Sequence, residues 1–229
     1  MGAVGLIVFG YLLGALPFSV ALAVAHGIDP AAEPDLHIAL RHQVGWPQAA
    51  AVVTVDIAKG VFPVLLAFGF SLPVWAVAFA GVAAVAGQMW PPLRGHGEKG
   101  NSTGVGTLIA LLLVYESYVG LLSLVFFALG GLARISMIYS TSPERRRPDH
   151  PLSLSLPVGM LSGFVAAPVL CWVTAQPDGL TVGLLFMLLA IVVRRLTADL
   201  QADLSVGARM GPVLLRRLFL DQTLIERDS

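Results

Sequence analysis

Cysteine is almost absent from this chain. Cys171 stands alone among 229 residues, which excludes an internal disulfide framework and a multi-cysteine metal site and leaves a small apolar residue inside a helix. Charge is scarce as well: 12% of residues are Asp, Glu, Lys or Arg and 56% are hydrophobic, against roughly 25% charged in a soluble domain. With a mean hydropathy of +0.81, the chain reads as an integral membrane protein. No basic stretch precedes the first apolar segment, which is too long for a signal-peptide core, so it is expected to be a retained span. No internal repeat is visible, which argues against the inverted halves of a secondary transporter.

Hydrophobic runs occupy 2 to 25, 47 to 70, 72 to 89, 104 to 114, 118 to 133, 154 to 175 and 180 to 193. They predict an all-α polytopic bundle of about seven transmembrane helices. The fourth run is too short, since a span needs about 20 residues. Its helix must recruit residues of the polar loop before it, and such a loop is tolerated at membrane depth only where its backbone is buried in protein or lines a polar cavity. Thirteen of the fourteen basic residues fall in alternate connections or in the C-terminal segment. By the positive-inside rule the N-terminus is outside and the C-terminus cytoplasmic. Domain organisation follows as a membrane-embedded domain over 1–207 and a basic cytoplasmic tail over 208–229. The tail alternates basic and apolar blocks, a pattern that fits either a solvated positive flank or a segment lying on the anionic inner leaflet. The polar, proline-flanked stretch 139–151 reads as a cytoplasmic insertion.

Lysine is the next scarcity. There are two, Lys59 and Lys99, each followed by glycine, in "DIAKG" and "GEKG". Lys59 lies inside the second apolar run, where an ionisable group costs about 3 kcal/mol or more and usually faces a partner or a polar cavity. Asp56, three residues earlier, shares its helical face. The pair is either helix glue or a compact cation, oriented by Asp56, aimed at an anionic ligand. Lys99 belongs to "GQMWPPLRGHGEKGNST", a charged glycine-rich stretch between two apolar runs. Its glycines mimic G-x-G-x-x-G and G-x-S-x-G, but both motifs require a preceding strand, which is implausible here. What they offer is backbone N–H groups beside a lysine and the start of a helix, a combination that binds phosphate. His96 and His150 have no second histidine at metal-ligand spacing and read as solvated. No metal or other cofactor and no nucleic-acid partner is expected. Trp46, Trp75, Trp90 and Trp172 fall near span ends and read as interfacial anchors.

Four stretches carry a family resemblance: "YLLGALPF" at 11–18, "DIAKGVFPVLLA" at 56–67, the stretch from Gly87 to Thr103, and "LSLS" at 152–155. In order and spacing the chain resembles, from Gly2 to about Gly207, the bacterial membrane-embedded acyl-phosphate:glycerol-3-phosphate acyltransferases. The resemblance implies a seven-helix protein of the bacterial inner (plasma) membrane with an external N-terminus. It implies acyl transfer from acyl phosphate to glycerol 3-phosphate or a related polyol phosphate, giving lysophosphatidic acid for phospholipid synthesis, with membrane lipids supplying the surroundings and substrate phosphate assisting deprotonation. The residues it brings forward are Lys59, Asp56 and Lys99 for catalysis, and Arg94, Gly95, Gly97, Gly100, Thr103 and, more loosely, Ser153 for phosphate.

The chain departs from the family pattern at three places. The family's glycine-rich Gly-Ser-Gly-Asn-x-Gly-Ala-Thr-Asn stretch of the first loop is "AAEPDLHIAL" over 31–40; a histidine of the family is Gln88; and Lys-Gly-Gly-Lys-Gly is reduced to "GHGEKG", which adds Glu98. Glu33, Asp35 and Glu98 bring negative charge towards an anion site. A non-catalytic relative that binds a lipid or phosphate ligand in a membrane complex is the alternative, and a transporter is a third.

Overall fold

The computed structural model describes residues 2–30, 32–33, 36–92, 97–139, 155–198, 200–205 and 209–221. Among them the protein is all-helical with no strand, and the chain divides into two compact units at the Tyr115–Glu116 junction. The first contains α1 (Ala3–Gly14), α2 (Phe18–Ala25), α3 (Leu36–Gln43), α4 (Trp46–Gly69), α5 (Val74–Met89) and α6 (Asn101–Val114). The second contains a 3-10 turn (Gly120–Ser123), α7 (Leu124–Ile138), α8 (Ser155–Val173), α9 (Asp178–Thr197), α10 (Leu200–Ser205) and α11 (Met210–Leu220).

Among the described residues, four helical stretches are long and apolar enough to cross a membrane: 3–25, α4, α8 and α9. Between 22% and 39% of each is buried inside the protein, so most of their apolar surface faces outward. Such surface is stable only in an apolar solvent, which makes this a membrane protein. Three shorter apolar helices accompany them: α5, α6 and the stretch 120–136. The short fourth run does gain length from the loop before it, because α6 begins at Asn101 and takes in Ser102 and Thr103.

The first apolar run, expected as one continuous helix over 2–25, is broken after Gly14. Pro17 has no amide hydrogen and restricts Leu16 before it, so the chain leaves α1 and restarts as α2. The first connection, which showed no element in the sequence reading, contains α3. Its spacing places Ala39 and Leu40 inward, where they pack with Ala23, Ile28 and Val52.

In the first unit, α1 lies mainly against α5, and α4 against α6. Glycines permit both approaches. A Cβ on Gly14 would run into the backbone of Ala84. One on Gly60 would meet the Thr103 carbonyl and come within 2.7 Å of the Thr107 amide nitrogen. The glycine after Lys59 is thus explained by helix packing. Gly60→Ala is expected to cost about 3 kcal/mol by overpacking, read as a lower thermal midpoint in detergent. Gly131→Ala in α7, with open space around the added atom, serves as the unaffected control.

In the second unit, Ser155 donates to the Gly130 carbonyl at 3.1 Å, tying α8 to α7. Cys171 is buried, as expected, and lies 3.6 Å from the Ser117 hydroxyl. The C-terminal helices close on α9: Arg217 Nε donates to Asp203 Oδ2 at 2.8 Å and its guanidinium also reaches the Ala198 carbonyl. Arg195 Nη1 donates to the carbonyls of Pro157 and Leu218 at 3.3 and 3.0 Å. Part of the tail's basic charge is therefore spent inside the fold.

Candidate functional site

The break at Pro17 has a direct electrostatic consequence. A carbonyl released from regular helical bonding is a ready acceptor, and that of Leu16 receives Lys59 Nζ at 2.8 Å. Lys59 is 3% exposed. Its ammonium also donates to Asp56 Oδ1 at 2.9 Å, the i, i+3 pair anticipated from the sequence. Pro63, one turn further along α4, lacks the amide that would bond the carbonyl of residue 59.

Asp56 is fully buried and engaged at both carboxylate oxygens. Oδ2 lies 3.2 Å from Nε2 of His37, on α3. Its backbone carbonyl accepts from the Thr103 hydroxyl at 2.8 Å. That hydroxyl also sits against Oε1 of Gln88, with one proton to give between two acceptors. Thr103, expected as a phosphate ligand, is here a buried link from α6 to α4 and α5.

The chain from Gly97 to Gly100 folds back along the end of α5. The Glu98 amide donates to the Gln88 carbonyl at 3.1 Å. Gln88 Nε2 donates to Glu98 Oε2 at 2.8 Å, and the Ser19 hydroxyl donates to Glu98 Oε1. A Cβ on Gly97 would strike the Met89 carbonyl, while Gly100 has a φ of 72° and starts α6 from the left-handed region. Lys99, half-buried, sits between Glu98 and that helix start. Arg94, Gly95 and Ser153 lie outside the described residues.

Three residues that the sequence reading did not place in the site therefore belong to its geometry: His37, Ser19 and Gln88. A histidine on the inward side of an eight-residue amphipathic stretch was the available signal for His37. Glu98 was read as a repulsive charge, and the structure gives it two hydrogen-bond donors.

Beside this polar cluster is a cavity of about 430 Å³. Leu13, Phe18, Ala21, Val55, Ala58 and Phe62 line it, and Lys59 is on its wall. A volume of this size accommodates a small ligand or part of a long chain, and the almost wholly apolar lining suits hydrocarbon.

Fold and site define a class: a polytopic helical membrane protein with a buried lysine–carboxylate pair beside an apolar cavity. Residues 4–202 match the family model described as glycerol-3-phosphate acyltransferase, and the chain belongs to that family. A glycerol-3-phosphate acyltransferase of Synechococcus is 35% identical over 176 residues, covering 72% of this chain and 81% of the relative. One from Rubrobacter xylanophilus is 38% identical over 110 residues, covering 46% of this chain and 55% of that protein, so this match spans about half the length of that relative. Among solved structures, PlsY (YgiH), an integral membrane glycerol 3-phosphate acyltransferase in a lysophosphatidic acid form, superposes with a TM-score of 0.63 at 22% identity, covering 95% of this chain and 98% of PlsY. Its glycerol 3-phosphate form gives 0.62 at 21% identity, covering 93% and 98%. These two likenesses establish the fold.

Proposed function

We propose that the protein transfers the acyl group of an acyl phosphate to the primary hydroxyl of glycerol 3-phosphate, forming lysophosphatidic acid and releasing inorganic phosphate. The observation that carries this reading is Lys59, a buried cation on the wall of an apolar cavity. A membrane-embedded acyl phosphate has the same two parts, a hydrocarbon tail and an anionic head. The hydroxyl oxygen bonds to the acyl carbon, the carbon–oxygen bond to phosphate breaks, and the hydroxyl proton leaves with the phosphate. Because the donor is already activated, the protein's contribution is to hold two anions together and stabilise the tetrahedral oxyanion. Lys59 and Lys99 supply the cations, Asp56 orients Lys59, and the glycine-rich backbone over Gly97 to Gly100 is the proposed source of further phosphate contacts. Arg94, Gly95 and Ser153 complete the proposed phosphate ligands, while Thr103, whose hydroxyl is committed to the Asp56 carbonyl and Gln88, holds α6 in place behind them.

The reading also places the protein in the bacterial inner membrane with seven spans, an external N-terminus and a cytoplasmic tail from residue 208. In a Cys171→Ala background, a cysteine at position 145 is expected to label from the cytoplasm and one at position 178 from outside. The reverse pattern would refute this topology.

Purified protein in detergent, given acyl phosphate and isotopically labelled glycerol 3-phosphate, is expected to form labelled lysophosphatidic acid, and acyl-CoA in place of acyl phosphate is expected to give none. The second reading, a phosphate or lipid binder without turnover, draws on Glu98 beside Lys99. Folded protein that binds glycerol 3-phosphate and yields no product would establish it.

A further inference from the structure

We propose that His37, Asp56 and Glu98 hold one divalent transition-metal cation at the edge of the site. In the reaction proposed above, on which this last step rests, the cation receives a phosphate oxygen of the substrate. A ring nitrogen of His37 and one carboxylate oxygen each from Asp56 and Glu98 all lie within 4.8 Å of one another. Ligand atoms about 2.1 Å from a shared ion stand roughly 3 to 3.5 Å apart, so the three donors need to close by little more than an ångström. Residues 19 and 61 positions apart converge here through folding, which is why spacing along the sequence did not reveal them.

The carboxylates are also held from behind, as ligating groups are when outer partners fix their orientation. Lys59 occupies Asp56 Oδ1, leaving Oδ2 on the His37 side. Ser19 and Gln88 direct the Glu98 carboxylate. Two carboxylates converging on one space repel each other and any incoming phosphate, and a divalent cation between them reverses both effects. One imidazole with two carboxylates suits Mn²⁺, Fe²⁺ or Zn²⁺ better than the all-oxygen preference of Mg²⁺ or Ca²⁺. The His37 side chain is 29% exposed, leaving that side approachable by a phosphate oxygen.

The test uses full-length protein in detergent, stripped with a chelator and desalted, then titrated with Mn²⁺ and followed by electron paramagnetic resonance, with Zn²⁺ as competitor. One equivalent of Mn²⁺ is expected to bind and to be displaced by Zn²⁺. His37→Ala and Glu98→Gln are each expected to weaken binding by about 100-fold or more, and Gln88→Leu, which removes an outer partner, by about 10- to 100-fold. Acyl-phosphate-dependent turnover is expected to disappear on stripping and return with Mn²⁺. If neither ion binds stoichiometrically and the stripped protein turns over normally, the metal inference falls. Equal binding by wild type and both variants would overturn it too, by placing the ion elsewhere. Stoichiometric binding lost in both variants, in a protein that never turns over, sustains the metal site and overturns the reaction instead.

Discussion

Replacing Lys59 by alanine is expected to lower turnover by roughly 100- to 1000-fold, the range for losing one preorganised charge stabiliser at a reacting centre. The ammonium is held by the Leu16 carbonyl and Asp56 Oδ1 at 2.8 and 2.9 Å, so it is already oriented before substrate arrives. Stability is expected to fall as well, because truncating one member of a buried ion pair costs about 3–5 kcal/mol. The two losses must be separated. In Lys59→Ala combined with Asp56→Ala, neither charge remains to be stranded, and the thermal midpoint is expected to recover most of its loss. If activity returns with it, the pair was helix glue. Recovered stability without activity is the expected result, and it assigns the pair to the site.

Lys99→Ala is expected to cost about 100-fold in turnover, with Arg146→Ala unchanged as a control from the 139–151 segment. Lys99 is half-buried and precedes Gly100, from which α6 departs. In the proposed reaction the positive end of the α6 dipole and the lysine charge act on the same anion. In a partly buried position the attraction exceeds that of a solvated arginine, which water and salt screen. Lys99→Arg keeps the charge on a larger planar group and is expected to recover only part of the activity. Full activity in Lys99→Ala would remove this residue from the mechanism.

The long helices were legible because their signal is continuous. The run 47–70 became α4 at Trp46–Gly69, and 154–175 became α8 at Ser155–Val173. The Asp56–Lys59 pair was legible for a local reason, the i, i+3 spacing on one face. Pro17 is in plain view, yet hydropathy alone does not register a missing amide, so it does not show the break at which the Leu16 carbonyl turns to Lys59. Nor did the stretch 31–40, read as the loss of a glycine-rich loop, disclose α3 and His37. The substitutions at Gln88 and Glu98 looked like two separate losses. In the fold they are hydrogen-bonded to each other at 2.8 Å, and His37 from the third divergent segment reaches the same cluster. Long-range complementarity of this kind has no period and no spacing, so one sequence does not display it.

The central claim, that an acyl phosphate lies in the cavity with its head at Lys59, is most directly tested by photolabelling. A non-hydrolysable acyl phosphonate bearing a diazirine near its chain end, irradiated with the purified protein and mapped by peptide mass spectrometry, is expected to mark cavity residues such as Leu13, Ala21, Val55 and Phe62. Excess acyl phosphate should suppress that labelling, and Lys59→Ala should lose most of it. Labelling confined to residues 116–229, or equally strong in Lys59→Ala, would contradict the account.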